Sequence, residues 1–378
     1  MSPLTRRRFL ATSTCALLAR PAPAVETIPA WAAKLEGIRA RYDLPALGAA
    51  IVTAEGCQSL AVTGVRKKDA ETPVTTADLW HLGSNTKAMT ATLAAIAVEE
   101  GKLRWDSTLG ELFPRQRDLK KSPLAKATLT HLLSHWSGLP PNAQWGMLAL
   151  AGGGRPGSER AQRALALELA ARTADLPAPG ERHEYSNFGY VLAGHMLEEV
   201  WRAPWEELMR RRLFAPLGIQ NAGFGGTGTP GKLDQPWPHN GKGEPMPGNG
   251  PLVDNPPVLG PAGTVHMALA DWGLFLAEHL AGRAGRGRLL KTAAYEHLHT
   301  AAQAGENYAL GWLAVERPWG GRVLNHAGSN TMNRSVTWLA PEKGFGVLAC
   351  ANTGAETASK ALDDVSGLLI QAHRQGGA

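Results

Sequence analysis

A chain of 378 residues, 44% of them hydrophobic, can bury a large core and fits one large domain or two closely packed ones. Its formal charge of +6 points at first to an acidic partner, but four arginines among residues 1–24, with no acid to offset them, leave only +2 on the remainder. Nucleic-acid binding thereby loses its main support.

The first segment, Thr5-Arg6-Arg7-Arg8-Phe9-Leu10-Ala11, has a twin-arginine pattern, followed by a short apolar run to Ala19 and a small-residue cleavage site at Ala22-Pro23-Ala24. Residues 1–24 therefore read as a signal peptide, and the mature chain as periplasmic or secreted by the twin-arginine route. The bland alternative is a disordered basic N-terminus on a cytosolic protein. No later segment supplies the ~20 uninterrupted apolar residues of a membrane span. Cys57 and Cys350, both in strand-like runs, read as free thiols.

Next comes an amphipathic helix at 28–41, then strands at 46–53 and 58–65. Helical patterns follow at 84–101, 127–136, 158–173, 188–202, 204–213, 265–281 and 290–301. Residues 226–262, rich in Gly, Pro and Asn, read as a long irregular loop bordering a site. Short strands at 309–315, 322–325, 334–339 and 346–351 precede a last helix at 356–373. Strands at both ends with helices between predict an α/β (α+β) fold: an antiparallel sheet built from both termini, flanked by helices, with an inserted all-helical region. The boundaries are a domain at 25–378, with its sheet region at about 25–80 and 265–378 and its helical region at about 81–264.

Ser84-Asn85-Thr86-Lys87 opens the helix expected at 84–101 and is the only Ser-x-x-Lys in the chain. A serine hydroxyl needs a base beside it, and three-residue helical spacing puts a lysine amine on the same face. A helix N-terminus also favours developing negative charge. Tyr185-Ser186-Asn187 opens the helix near 188, and Asn325-His326-Ala327-Gly328-Ser329-Asn330 closes a late strand, where glycine lets the backbone approach a ligand.

Ser84-x-x-Lys87, Tyr185-x-Asn187 and His326-x-Gly328, in this order and about 100 and 140 residues apart, resemble the three motifs of the penicillin-recognising serine hydrolases. The branch resembled is that of class C β-lactamases, D-alanyl-D-alanine carboxypeptidases, D-amino-acid amidases and family VIII esterases. Leu132–Pro140, Pro216-Leu217-Gly218 and Tyr308–Trp312 add to the likeness, which covers nearly the whole mature chain. The resemblance implies a β-lactamase/transpeptidase-like fold and an acyl-enzyme on Ser84, formed on an ester, an amide or a D-amino-acid peptide. Lys87 and Tyr185 share the proton, Asn187 orients the acyl side chain and Lys87, and the N–H groups of Ser84 and Ser329 form the oxyanion hole. No cofactor, metal or nucleic acid is implied; the partner is a small-molecule or peptide substrate, and the oligomeric state stays open. A lysine with a reference pKa of ~10.4 must move down by ~3 pKa units, or ~4 kcal/mol, to act as base near pH 7. Otherwise it stays charged and lowers the pKa of Tyr185, and the sequence leaves both routes open.

The chain departs from class C β-lactamases at the third motif, where His326 replaces lysine and weakens the fixed charge that would grip a substrate carboxylate. Water activation would fall to Tyr185 or His326. His131 and His135 have the spacing of a zinc site, but the glutamate expected at 132 is leucine, so both read as structural. The absence of Gly-x-Ser-x-Gly argues against an α/β-hydrolase. Among the twelve tryptophans, Trp80, Trp136, Trp145 and Trp338 are candidates for core packing or for lining an acyl pocket. The rival function is a catalytically weak penicillin binder or sensor of the same fold.

Overall fold

The computed structural model describes residues 29–144, 159–247 and 253–376; the twin-arginine stretch and Trp145 lie outside them. Alternation along the N-terminal strand Ala46–Thr53 (β1) determines the layering. Leu47, Ala49 and Ile51 point into one apolar cluster, and Ala46, Ala50 and Val52 into a second on the opposite face. The late strand Phe345–Ala351 (β9) repeats the pattern, with Val347 and Ala349 on the first side and Leu348 and Cys350 on the second. The two strands pair antiparallel, Gly48 opposite Cys350 and Ala50 opposite Leu348, so the ends of the chain meet at the centre of one sheet.

That sheet also holds Gly56–Gly64 (β2), Leu313–Arg317 (β6), Gly321–Ser329 (β7) and Arg334–Ala340 (β8), in the order β2-β1-β9-β8-β7-β6, all antiparallel. Its outer face is covered by Ala32–Arg41 (α1) and Glu356–Arg374, the last helix. The last helix buries Ala358, Ala361, Leu362, Val365 and Leu369 at three- and four-residue steps, and each large apolar side chain contributes about 1.5–3 kcal/mol. Thr86–Glu99 (α2), Asn187–Trp201 and Leu269–Arg283 form the helical side over the inner face. Cys57 and Cys350 are free. No helix among the described residues is long and apolar enough to cross a membrane.

The antiparallel sheet with flanking helices matches the expected fold class, while several boundaries move. Val265–Ala268 is a strand (β5) rather than the first turn of a helix at 265–281, and it lies between Leu79–His81 (β3) and Ala222–Phe224 (β4) in a small second sheet. The mainly apolar stretch Val265–Leu269 carries no turn signal, so tertiary pairing makes its first part a strand. Residues 309–312 are not strand, because Gly311 takes φ +82° and turns the chain before β6 begins at Leu313. The third motif lies inside β7, which runs on to Ser329 instead of ending at 325. The helix expected at 127–136 shrinks to Leu129–Leu133. In the expected loop at 226–262, Pro257–Leu259 and Gly260–Gly263 form short helical turns.

Candidate active site

The turn that carries Ser84 is built by close backbone approach. Ser84 sits in a 3-10 turn, Gly83–Asn85, that runs directly into α2. Gly83 has φ +50°, and a Cβ there would stand 2.3 Å from the Ser329 amide nitrogen; one on Gly328 would stand 2.0 Å from the Leu82 carbonyl oxygen. Two glycines thus let β7 lie against the turn, with the Ser329 amide against Gly83, the residue before Ser84. Ser335 Oγ donates to Leu82 O at 2.7 Å and accepts from Asn85 Nδ2 at 2.8 Å. Leu82 N donates to Val265 O at 2.9 Å, and Val265 N to Thr86 Oγ1 at 3.2 Å, so β5 holds the other side. Such bonds contribute about 1 kcal/mol each and cost more when one partner is left buried and unpaired.

Lys87, on the first turn of α2, is fully buried. Its Nζ lies 3.0 Å from Ser84 Oγ, 2.7 Å from Asn187 Oδ1 and 2.8 Å from Ala262 O. Burial pushes its pKa well below the ordinary lysine value. A neutral amine has two N–H donors and one lone pair. Its three neighbours are two oxygens that can only accept and one hydroxyl that can donate, which matches that form. Asn187 is fixed from behind: its Nδ2 donates to Asn142 Oδ1 at 2.9 Å and its backbone N to Pro141 O at 2.9 Å. Ser186 caps the same helix through Gly189 N.

Tyr185 packs its ring 4.9 Å from Lys87 Nζ. Burial of the hydroxyl raises its pKa to about 12, with a hydrogen bond with Ser84 pulling the other way. The side chain as a whole is 37% exposed, so its ring forms part of the open wall of the site while the hydroxyl faces Ser84. Ser84, Lys87, Tyr185 and Asn187, two pairs about 100 residues apart in sequence, therefore converge on one point, with the Ser329 amide against the neighbouring Gly83.

The family model described as Beta-lactamase matches residues 31–372. The chain belongs to the beta-lactamase family. Its curated relatives include a putative D-alanyl-D-alanine carboxypeptidase of Escherichia coli K12, 33% identical over 161 residues that make up 41% of this chain and 36% of the relative. Another is penicillin-binding protein 4 of Amycolatopsis lactamdurans, 26% identical across 51% of this chain and 48% of the relative. The matched regions thus span less than half the length of these relatives. Among solved structures, the D-alanine carboxypeptidase AmpC of Burkholderia cenocepacia superposes with a TM-score of 0.70 at 21% identity, covering 89% of this chain and 97% of that one. A class C beta-lactamase of Rhodobacter sphaeroides gives 0.68 at 20%, covering 91% and 99%. These likenesses establish the fold, that of the penicillin-recognising serine hydrolases.

Within this beta-lactamase-family site the third motif is electrically quiet. His326 Nδ1 lies 2.7 Å from Ala327 O and must donate to it, which leaves Nε2 to accept from the Tyr308 hydroxyl at 3.1 Å. Burial first, and Lys87 second, push its pKa down to about 3, with the bond to Ala327 opposing. The imidazole is neutral, and both ring nitrogens are engaged by the protein. Tyr308 reaches it because Gly311 seats the segment on α2, where a Cβ would stand 2.6 Å from Ala88 Cα.

Some contributors had no sequence signal. Ala262 O is a backbone carbonyl, delivered by the turn Gly260–Gly263 that ends the 226–262 segment, which does border the site. Asp254 in that segment lies 2.8 Å from His81 Nε2 and accepts from Asn330 Nδ2 at 2.9 Å, while His81 Nδ1 accepts from Gly83 N at 3.1 Å. His131 caps its own helix by accepting from Thr128 N, a structural role. His135 turns away from it and packs on the Tyr185 ring. Trp80 is core, Trp338 packs on Trp319, and Trp136 packs near His183 beside the site.

Proposed function

We propose that this chain is an exported serine hydrolase working through an acyl-enzyme on Ser84. The observation that carries the reading is the Lys87 Nζ to Ser84 Oγ distance of 3.0 Å at a lysine that burial holds towards its neutral form. Neutral Lys87 takes the Ser84 proton as Oγ attacks the substrate carbonyl. The oxyanion is received by the N–H groups of Ser84 and Ser329, where one donor is worth ~10²–10³ in rate. Tyr185, still protonated at neutral pH, passes a proton to the leaving alcohol or amine and is replenished from Lys87. Water then cleaves the acyl ester and frees Ser84.

Substrates are an ester, an amide or a D-amino-acid peptide, the last supported by the carboxypeptidase name of the Escherichia coli relative. Neutral His326 supplies no fixed cation, which favours acyl groups without a carboxylate over carboxylate-bearing β-lactams. The twin-arginine stretch at residues 5–11 supports export. Steady-state kinetics on a short-chain nitrophenyl ester, nitrocefin and a D-Ala-D-Ala peptide, each with wild type and Ser84→Ala, test the reading. The expected order puts the ester first and abolishes turnover in the variant. Hydrolysis that survives Ser84→Ala overturns the assignment, and a single stoichiometric burst without turnover favours a slow binder of the same fold.

A further inference from the structure

His135 stands where a side-chain-bearing residue is strained. It follows the helix Leu129–Leu133 and takes φ +68°, a left-handed conformation that glycine and asparagine adopt more readily. It is 1% exposed, and no step of the reaction described above uses it. Its hydrogen bonds converge on the two sides of a single neighbour. The His135 carbonyl accepts from Glu184 N at 2.9 Å, and its Nδ1 accepts from Ser186 N at 3.0 Å. These are the residues immediately before and after Tyr185. The imidazole also packs against the Tyr185 ring, with centroids 4.3 Å apart, and on another side against the Tyr308 ring at 4.4 Å.

We propose that His135 is the positioning residue of this site: by clamping the backbone on both sides of Tyr185 and bracing its ring, it sets where the Tyr185 hydroxyl stands relative to Ser84. The inference rests on the proton-handling role given to Tyr185 above. An Nδ1 that accepts a backbone N–H is unprotonated, so the ring is the Nε2–H tautomer. Burial holds it neutral, which keeps the clamp closed at working pH. The left-handed backbone is what turns the carbonyl and Nδ1 of one residue towards the same stretch of chain.

Two variants separate this role from general packing. His135→Asn tolerates the left-handed region and places Oδ1 where histidine carries Nδ1, so it preserves the acceptor; His135→Gly relieves the backbone strain and removes the acceptor. In crystal structures the Tyr185 hydroxyl is expected to shift by about 1 Å in the glycine variant and to stay in place in the asparagine variant. A displacement of that size costs up to ~10²-fold in kcat with KM little changed, and the asparagine variant should recover most of it. Tyr185 unmoved in His135→Gly, or equal kcat in the two variants, overturns the inference. The crystallographic arm needs no turnover, so it decides the clamp even if hydrolysis proves independent of Ser84, a result that would instead strike the function proposed above.

Discussion

Replacing Asn187 by aspartate changes one atom of the site and should move its pH dependence in a calculable direction. Asn187 Oδ1 lies 2.7 Å from Lys87 Nζ, so Asn187→Asp places a carboxylate against the proposed base. At that separation and an effective dielectric of ~20 the attraction is about 6 kcal/mol. Asn187 is half-buried, so solvent and the carboxylate's own desolvation reduce this to the ~1–3 pKa units typical of close opposite charges. The sign is fixed: a nearby anion favours the charged amine, raises the Lys87 pKa against the lowering by burial, and moves the acid limb of kcat/KM upward. At pH values below both limbs the variant should lose ~10- to 1,000-fold, a factor of ~10 for every pH unit by which the limb moves, and it should regain most of the loss as pH rises through the new value. Stopped-flow acylation by a nitrophenyl ester between about pH 5 and 10 reads this directly. A loss of equal size at every pH, or an acid limb left at its wild-type position, would refute neutral Lys87 as the base.

Three further outcomes follow from the geometry. Gly311→Ala puts a Cβ 2.6 Å from Ala88 Cα at φ +82°, whereas Gly101→Ala, at φ +68°, meets nothing within 4 Å. Urea denaturation should show ~1 kcal/mol lost at Gly101 and at least ~3 kcal/mol at Gly311, and equal losses would deny the close approach of this segment to α2. Arg163, fully buried, pairs with Glu198 at 2.5 Å and with Glu206. Arg163→Ala should cost about 3–5 kcal/mol by leaving two carboxylates uncompensated, and a change within about 1 kcal/mol in the same assay would contradict that. His326→Lys restores a cation to the third motif and should speed acylation by a carboxylate-bearing penicillin relative to an uncharged ester. A ratio that stays level or falls removes His326 from substrate selection.

Much of this site could be read from the chain because its chemistry rests on short local patterns. Ser84 and Lys87 share one helical turn, and Tyr185 and Asn187 flank the cap of another. Their geometry follows from helical spacing, whatever the rest of the fold does. The strands read at 46–53 and 346–351 were likewise legible and are β1 and β9. What escaped depends on partners distant in sequence. Val265–Ala268 has no strand signature apart from its pairing with β3 and β4, and the Ala262 carbonyl is a Lys87 partner that any residue type could provide. His135 read as structural because its spacing from His131 suggested only a metal site that Leu132 spoils. Its left-handed backbone and its grip on both sides of Tyr185 appear only in three dimensions. For His326, the loss of lysine was legible, but the hydroxyl of Tyr308 that engages its second nitrogen was not.

The central claim is a covalent bond between Ser84 and the acyl group of its substrate. Intact-protein mass spectrometry after rapid quenching with a nitrophenyl ester, followed by peptide mapping, measures it without assuming a natural substrate. The account predicts one added acyl mass per chain, localised to the peptide that carries Ser84-Asn85-Thr86-Lys87 and absent from Ser84→Ala. An adduct on another residue, or ester hydrolysis that proceeds while no quench time and no slowed variant traps an acylated Ser84, would contradict it.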